Sequence, residues 1–185
     1  MKNVEIEYKV MVSKENFYKL EGILDKTYSP AYYNQTNFYY DDNRKLYENK
    51  LSLRIRYIEN QNMYISTLKI KNNDERIEIE SILKEKDITL VDIETKDLLG
   101  KHNIDVNSLK EIAFLKTIRK EYKIDDTLLC LDYNQFYQNE DYEIECEADS
   151  MEKAKRTIDT ILKLYNIEYK QSTMSKMARA INNRK

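Results

Sequence analysis

The chain has 185 residues, with 31 Lys and Arg against 33 Asp and Glu, a formal net charge of −2 and only two glycines, Gly22 and Gly100. That length suits one domain, residues 1–185, burying a core without a disulfide or structural metal. The balanced charge argues against a nucleic-acid or anionic-membrane binder, which would carry a basic excess. Two glycines exclude the glycine-rich phosphate loops of the Walker and dinucleotide types, so any phosphate must be gripped by side chains.

Val4 to Val10 alternates apolar and charged residues at period two, which predicts a half-buried strand. Ser13 is placed to cap a helix from Lys14 to about Lys26, with Phe17, Leu20, Ile23 and Leu24 on one stripe, and Pro30 closes that unit. Strands are predicted at Asn37 to Asp41, Leu51 to Tyr57, Met63 to Lys71 and Arg76 to Ile82, separated by Asn- and Asp-rich turns. Their spacing suggests an antiparallel meander. Residues 84–112 have weaker periodicity, with short helices expected at Asp92 to Leu99 and Val106 to Phe114. Strand signals return at Phe114 to Ile124, Thr127 to Phe136 and Tyr142 to Ala148. Helices follow from Met151 to about Tyr165, capped by Ser150, and from Thr173 to Ile181.

Cys130, Cys146 and the single His102 have no zinc-ribbon or redox spacing, so the cysteines read as core fillers of a reducing compartment. No apolar run approaches the ~18 residues of a membrane span, and the first residues lack a signal-peptide stretch. A soluble, cytoplasmic protein is expected, with no membrane or nucleic-acid partner, as a monomer or homodimer.

Successive strand residues point to opposite sides. Glu5, Glu7 and Lys9 therefore share a face, as do Arg54 and Arg56; Thr67, Lys69 and Lys71; Glu78 and Glu80; and Glu143, Glu145 and Glu147. Arg119 and Asp132 add one charge each. Taken singly, each strand is best read as a solvated outer face. Taken together they are costly, because two glutamates at i and i+2 lie about 6.5–7 Å apart and repel by roughly 2–2.5 kcal/mol at an effective dielectric of about 20. A closed barrel holding acids and bases inside relieves both repulsions if divalent cations meet the acids and a polyanion meets the bases. Oxygen-only ligands point to Mg²⁺ or Mn²⁺ rather than zinc.

Glu5-x-Glu7-x-Lys9 resembles the ExExK signature of the CYTH superfamily, the triphosphate tunnel metalloenzymes. The later elements follow in the order of that family: Tyr39-Tyr40-Asp41, Leu51-Ser-Leu-Arg54-Ile-Arg56, Thr67-Leu-Lys69, Glu78-x-Glu80, Arg119, Leu131-Asp132, Tyr142-Glu143-Ile-Glu145 and Ser175-Lys176. The pattern is most similar to the small single-domain CYTH proteins of Gram-positive bacteria.

The resemblance implies an α+β fold, a closed antiparallel β-barrel forming a triphosphate tunnel with flanking helices. It implies that Glu5, Glu7, Asp132, Glu143 and Glu145 hold Mg²⁺ or Mn²⁺ and that Lys9, Arg54, Arg56, Lys69, Arg119 and Lys176 grip phosphates. Glu78 and Glu80 would position a second metal or the attacking water, Lys9 would also act in catalysis, and Tyr39 would transfer a proton or contact phosphate. Lys71 joins the phosphate-gripping set by strand parity; the family pattern leaves open whether it and Glu121 face the cavity. The implied activity is hydrolysis of a linear triphosphate, first of all inorganic tripolyphosphate. The alternatives are a class IV-type adenylate cyclase, a thiamine or nucleoside triphosphatase, and a non-enzymatic binder of polyphosphate or nucleotide.

Overall fold

A computed structural model describes residues 2–72 and 75–184, with backbone alone for 2–5, 72, 75 and 76. Among the described residues, ten strands form one antiparallel sheet: β1 (Lys2–Glu5), β2 (Glu7–Val12), β3 (Ala31–Asp41), β4 (Leu51–Ile58), β5 (Met63–Asn72), β6 (Glu75–Leu83), β7 (Lys110–Ile124), β8 (Thr127–Phe136), β9 (Asn139–Glu147) and β10 (Tyr169–Gln171). Five helices accompany them: α1 (Lys14–Leu24), α2 (Lys45–Glu48), α3 (Ile93–Lys101), α4 (Met151–Leu164) and α5 (Lys176–Asn182).

The strand order is β1-β6-β5-β4-β3-β7-β8-β9-β2-β10. β1 stands at one margin and β2 next to the other, yet Ile6 alone separates them in the chain. The sheet must therefore curl until its two ends meet. They meet through covalent chain, and the sheet is not closed into a barrel by a ladder, which corrects the expected closed β-barrel. The physical reason is the break at Ile6: Lys2 to Glu5 pair with β6, Glu7 to Met11 pair with β9, and the Ile6 carbonyl between them accepts the N–H of Ala148 at 3.2 Å. What was predicted as one strand from Val4 to Val10 is two, serving different neighbours.

The convex face is apolar and covered. Phe17, Leu20 and Leu24 of α1 and Ala154, Ile158 and Leu162 of α4 pack on Val10, Leu129, Leu131, Ile144 and Cys146. Each buried Leu, Ile, Val or Phe among them contributes about 1.5–3 kcal/mol by leaving water. Ser13 and Ser150 cap these two helices as expected, accepting from the N–H groups of Asn16 and Lys153. On the other half Leu51, Leu53, Ile55, Leu68 and Ile79 pack under Leu99 of α3 and the loops carrying Val91 and Ile104. The concave face gathers charged residues from β2, β4, β5, β6, β7 and β9, among them Lys9, Arg54, Lys69, Glu78, Arg119 and Glu145. The usual in-and-out assignment is thus largely inverted: α1, α3 and α4 dress the outside of the curl and leave its inside mostly polar.

Several elements differ from expectation. β3 begins at Ala31 rather than Asn37, because its inward positions carry Gln35 and Asn37, buried polar residues that give no hydrophobic alternation. The helix expected at Val106 to Phe114 is a single 3-10 turn at Val106–Ser108 followed by the start of β7. Val106, Leu109 and Ile112 have helical spacing, but Lys110, Glu111 and Ala113 to Leu115 pair with Asp41 to Asn37 of β3, and that ladder decides the segment. The Asp125-Asp126 turn is as expected, with Asp125 at φ 52°.

α5 lies on the concave side. Its Ala180 and Met177 pack with Tyr39, Ala113, Leu115 and Phe136, making a small apolar cluster inside the curl beside the charged residues. Among the described residues, no helix is long and apolar enough to cross a membrane.

Candidate functional site

Strand register lines up the charges. Arg119 of β7 stands opposite Asp132 of β8, which stands opposite Glu143 of β9, and Lys9 of β2 stands opposite Glu145. Period-two alternation turns all of them inward. Asp132 and Glu143 are 0% exposed and Glu145 is 2% exposed. Carboxylates buried this deeply demand charged partners, and they have them. Arg119 makes a two-pronged contact with Asp132, Nε to Oδ1 and Nη2 to Oδ2, both 2.7 Å, and Nη2 also donates to Glu145 Oε2 at 2.5 Å. The Lys9 ammonium lies 2.7 Å from Glu7 Oε2 and 2.5 Å from Glu145 Oε1.

Two cations come from α5. Ser175 caps it, accepting from the N–H of Ala178 at 3.2 Å, which makes Lys176 the first helical residue. The Lys176 Nζ contacts Asp132 Oδ2 and Glu143 Oε2 at 2.6 Å each and Glu145 Oε1 at 2.5 Å. One turn on, Arg179 donates from Nη1 and Nη2 to the two oxygens of Glu143 at 3.1 and 2.9 Å, and its Nε faces Asp141 Oδ2 at 2.8 Å. Ser172 adds a hydroxyl donor to Glu143 Oε1 at 3.0 Å.

Burial alone would push the three carboxyls up, but the cations outweigh it. Arg119 and Lys176 hold Asp132 below the usual range, Lys176 and Lys9 do the same for Glu143, and Lys176, Lys9 and Arg119 hold Glu145 well below it. The reciprocal effect raises Lys176 and Arg119 against the burial that would lower them. By contrast Asp141 and Glu121 are raised, in each case chiefly by burial.

The facing wall is built by β3 to β6 and is rich in cations. Arg54 and Arg56 project from β4 opposite Tyr39 and Asn37. Arg56 Nε donates to Asn37 Oδ1 at 3.0 Å. Its guanidinium is pushed down to about 10 by burial and by the Arg54 and Arg119 cations nearby. Arg54 Nε is buried and meets no hydrogen-bond partner among the described residues. On the next strands Lys69 pairs with Glu78, and Thr67 Oγ1 donates to Glu80 Oε1 at 2.9 Å.

Between the walls lies a cavity of about 1330 Å³. Glu7, Lys9, Tyr39, Arg54, Arg56, Lys69, Lys71, Glu78, Glu80, Arg119, Glu145 and Lys176 all line it, and so does Glu121. Lys71 and Glu121, left open by sequence, therefore do face inward. Asp132 and Glu143 lie behind that lining, in contact with Lys176. Tyr39 lines the cavity but is 5% exposed and packs in the apolar cluster with Leu115 and Phe136. Glu5 is paired through its backbone with Arg76; its side chain lies outside the described residues. Sequence reasoning missed Arg179, Asp141, Ser172 and the polar liners Gln35, Asn37 and Thr117. Asp141 shares strand parity with Glu143 and could have been found that way. Arg179 lies three residues beyond Lys176, on the same helix face.

The CYTH domain model matches residues 3–181 of this chain. The chain belongs to the CYTH family. One CYTH relative, YjbK of Bacillus subtilis (strain 168), provisionally designated a triphosphatase, is 28% identical over 174 residues, 91% of this chain and 90% of that one. A Bacillus halodurans protein of known crystal structure, provisionally designated an adenylate cyclase, is 32% identical with a TM-score of 0.83, covering 96% of this chain and 97% of that one. HpAC1 from Hippeastrum, provisionally an adenylyl cyclase and described as having a dominant triphosphatase activity, shares the fold at 20% identity and a TM-score of 0.82, covering 98% and 96%.

A divalent metal can be tested against the donor set. Asp132, Glu143 and Glu145 each offer a carboxylate oxygen, and those atoms all lie within 4.8 Å of one another. An all-oxygen, anionic set suits a hard cation such as Mg²⁺ or Mn²⁺. The residues fit.

Proposed function

We propose that this CYTH chain hydrolyses a linear triphosphate, with inorganic tripolyphosphate as its simplest substrate and Mg²⁺ or Mn²⁺ as its cofactor. The observation that carries this reading is the cation wall. Arg54 keeps a buried Nε without a partner among the described residues, and Arg56 is lowered by burial first and then by its Arg54 and Arg119 neighbours. Like charges gathered in an inward-facing cavity are relieved by a polyanion, and guanidinium groups are shaped for phosphate oxygens.

Phosphoryl transfer asks mainly for alignment and charge stabilisation. Arg54, Arg56 and Lys69 would hold the non-bridging oxygens from one side and Lys9, Arg119 and Lys176 from the other, with Lys71 toward the outer part of the chain. Asp132, Glu143 and Glu145 would hold the metal, with Glu7 beside them and Glu5 as a further candidate; the bound cation supplies neutralisation of phosphate charge. Glu78 and Glu80, on β6 next to Lys69 and Thr67, would position a second metal or the attacking water, whose proton a carboxylate can accept. Tyr39, mostly buried, would act as a contact at the wall.

The relatives' designations support a triphosphatase and also an adenylate cyclase. The cavity favours keeping the second reading, since about 1330 Å³ exceeds the roughly 300–1,000 Å³ of common small-molecule sites and leaves room for a nucleoside. The test is product analysis with tripolyphosphate, ATP and thiamine triphosphate, each with and without Mg²⁺ and Mn²⁺. Metal-dependent phosphate release supports hydrolysis, cyclic AMP from ATP supports cyclisation, and binding without turnover of all three leaves a binder.

A further inference from the structure

Lys176 stands where a divalent cation would have to stand. An ammonium carries three N–H donors, and that of Lys176 meets one oxygen from each of Asp132, Glu143 and Glu145 at 2.5–2.6 Å. These are the three carboxylates whose ligand atoms cluster within 4.8 Å. Mg²⁺ takes oxygens at about 2.0–2.1 Å in near-octahedral array, so an ion and the ammonium cannot share the same three oxygens.

We infer that Lys176 is a built-in competitor of the divalent cation, and that a linear polyphosphate relieves the competition by drawing the Lys176 ammonium onto its own oxygens. The inference rests on the triphosphatase reading and adds an energetic coupling to it. Lys176 opens α5, and helix side chains lean toward the N-terminus, which aims it at the carboxylates. A cation there opposes the helix dipole, so the lysine is not explained by helix stability. α5 also has anchors of its own: Arg179 on Glu143 and Asp141, and Ala180 in the apolar cluster. The ammonium can change partners while the helix stays docked. Lys176 lines the cavity, so an entering phosphate reaches it directly. Linkage then requires each ligand to raise the affinity of the other by the same factor.

The test is Mn²⁺ binding to the full chain, followed by the paramagnetic resonance signal of free Mn²⁺, with and without imidotriphosphate, a tripolyphosphate analogue whose bridging nitrogens resist hydrolysis. In the wild type the analogue should tighten Mn²⁺ binding by more than about tenfold, inside the 5–150-fold span of ordinary coupling. Lys176→Met and Lys176→Gln should bind Mn²⁺ alone about tenfold tighter than wild type, with the effect of the analogue reduced to match. Unchanged or weaker Mn²⁺ binding in variants that remain folded by circular dichroism overturns the inference. A second measurement needs no variant. Acetylation of Lys176 by an amine-reactive ester, mapped by mass spectrometry, should rise when Mn²⁺ alone saturates the chain and fall when the analogue is added; labelling indifferent to Mn²⁺ also overturns it. A chain that hydrolyses no triphosphate but shows this competition removes the proposed reaction and leaves the inference, whereas an active chain whose variants bind Mn²⁺ like wild type removes the inference alone.

Discussion

Arg54 and Arg179 both carry a guanidinium into the interior, and their surroundings assign them different work. Arg179 grips both oxygens of Glu143, a residue that is 0% exposed. Removing one partner of a buried ion pair strands the other, at about 3–5 kcal/mol. Arg179→Met should fall at the low end of that range, because Lys176 and Ser172 still reach Glu143; urea unfolding measures it, and a loss below about 1 kcal/mol would deny Arg179 its anchoring role. For Arg54 the argument reverses. Its buried Nε has no partner among the described residues, and an unsatisfied buried donor already costs about 1–3 kcal/mol. Arg54→Ala should therefore leave the unfolding midpoint nearly unchanged while lowering kcat by about 10²–10³, the usual effect of deleting one donor to developing charge. Steady-state phosphate release read beside the urea curve separates the two arginines. Strand parity made Arg54 legible in the sequence because period two fixes the face. Arg179 was not, since its target is a carboxylate 36 residues earlier that no local pattern announces.

Among the elements, legibility followed what each one buries. α1 and α4 were readable from cap and stripe because their apolar faces meet an apolar sheet surface. The first half of β3 was not, because Gln35 and Asn37 are what the cavity needs there, and a strand with a polar interior looks like a loop. α5 shows how a short element depends on its cap. With seven residues it is far below the length at which an isolated helix holds together in water, so Ser175, Arg179 and the packing of Ala180 must fix it. Ser175→Ala should cost about 1 kcal/mol, the usual loss for an N-cap. Because Lys176 is the next residue, fraying there should also raise its labelling by an amine-reactive ester, without a matching change at Lys120 on the outer face. Equal changes at both lysines would mean general destabilisation instead.

The whole molecule sorts charge by side rather than by sum. A net charge of −2 gives no hint of anion binding, yet the curl gathers Arg54, Arg56, Lys69 and Arg119 around one cavity. The sequence could show that the charges share faces; it could not show how the margins meet, because the break at Ile6 has no local signature. That break makes a prediction about the curl. Lys2 to Glu5 pair with Ile79 to Arg76, and on its other side β6 pairs with β5. Deleting residues 1–5 would turn β6 into an edge whose outward backbone groups meet water, while β8 and β9 keep both neighbours. Hydrogen exchange should therefore accelerate at the Ile77 to Ile79 amides and stay unchanged at Leu131 to Tyr133, since local opening follows the loss of pairing at the margin. Glu78 lies in the exposed stretch and pairs with Lys69, so turnover should fall together with the protection of β6. Preserved protection there would mean that the meeting of β1 with β6 does not hold this wall in place, and that the cavity is shaped by the β3 to β9 ladders alone.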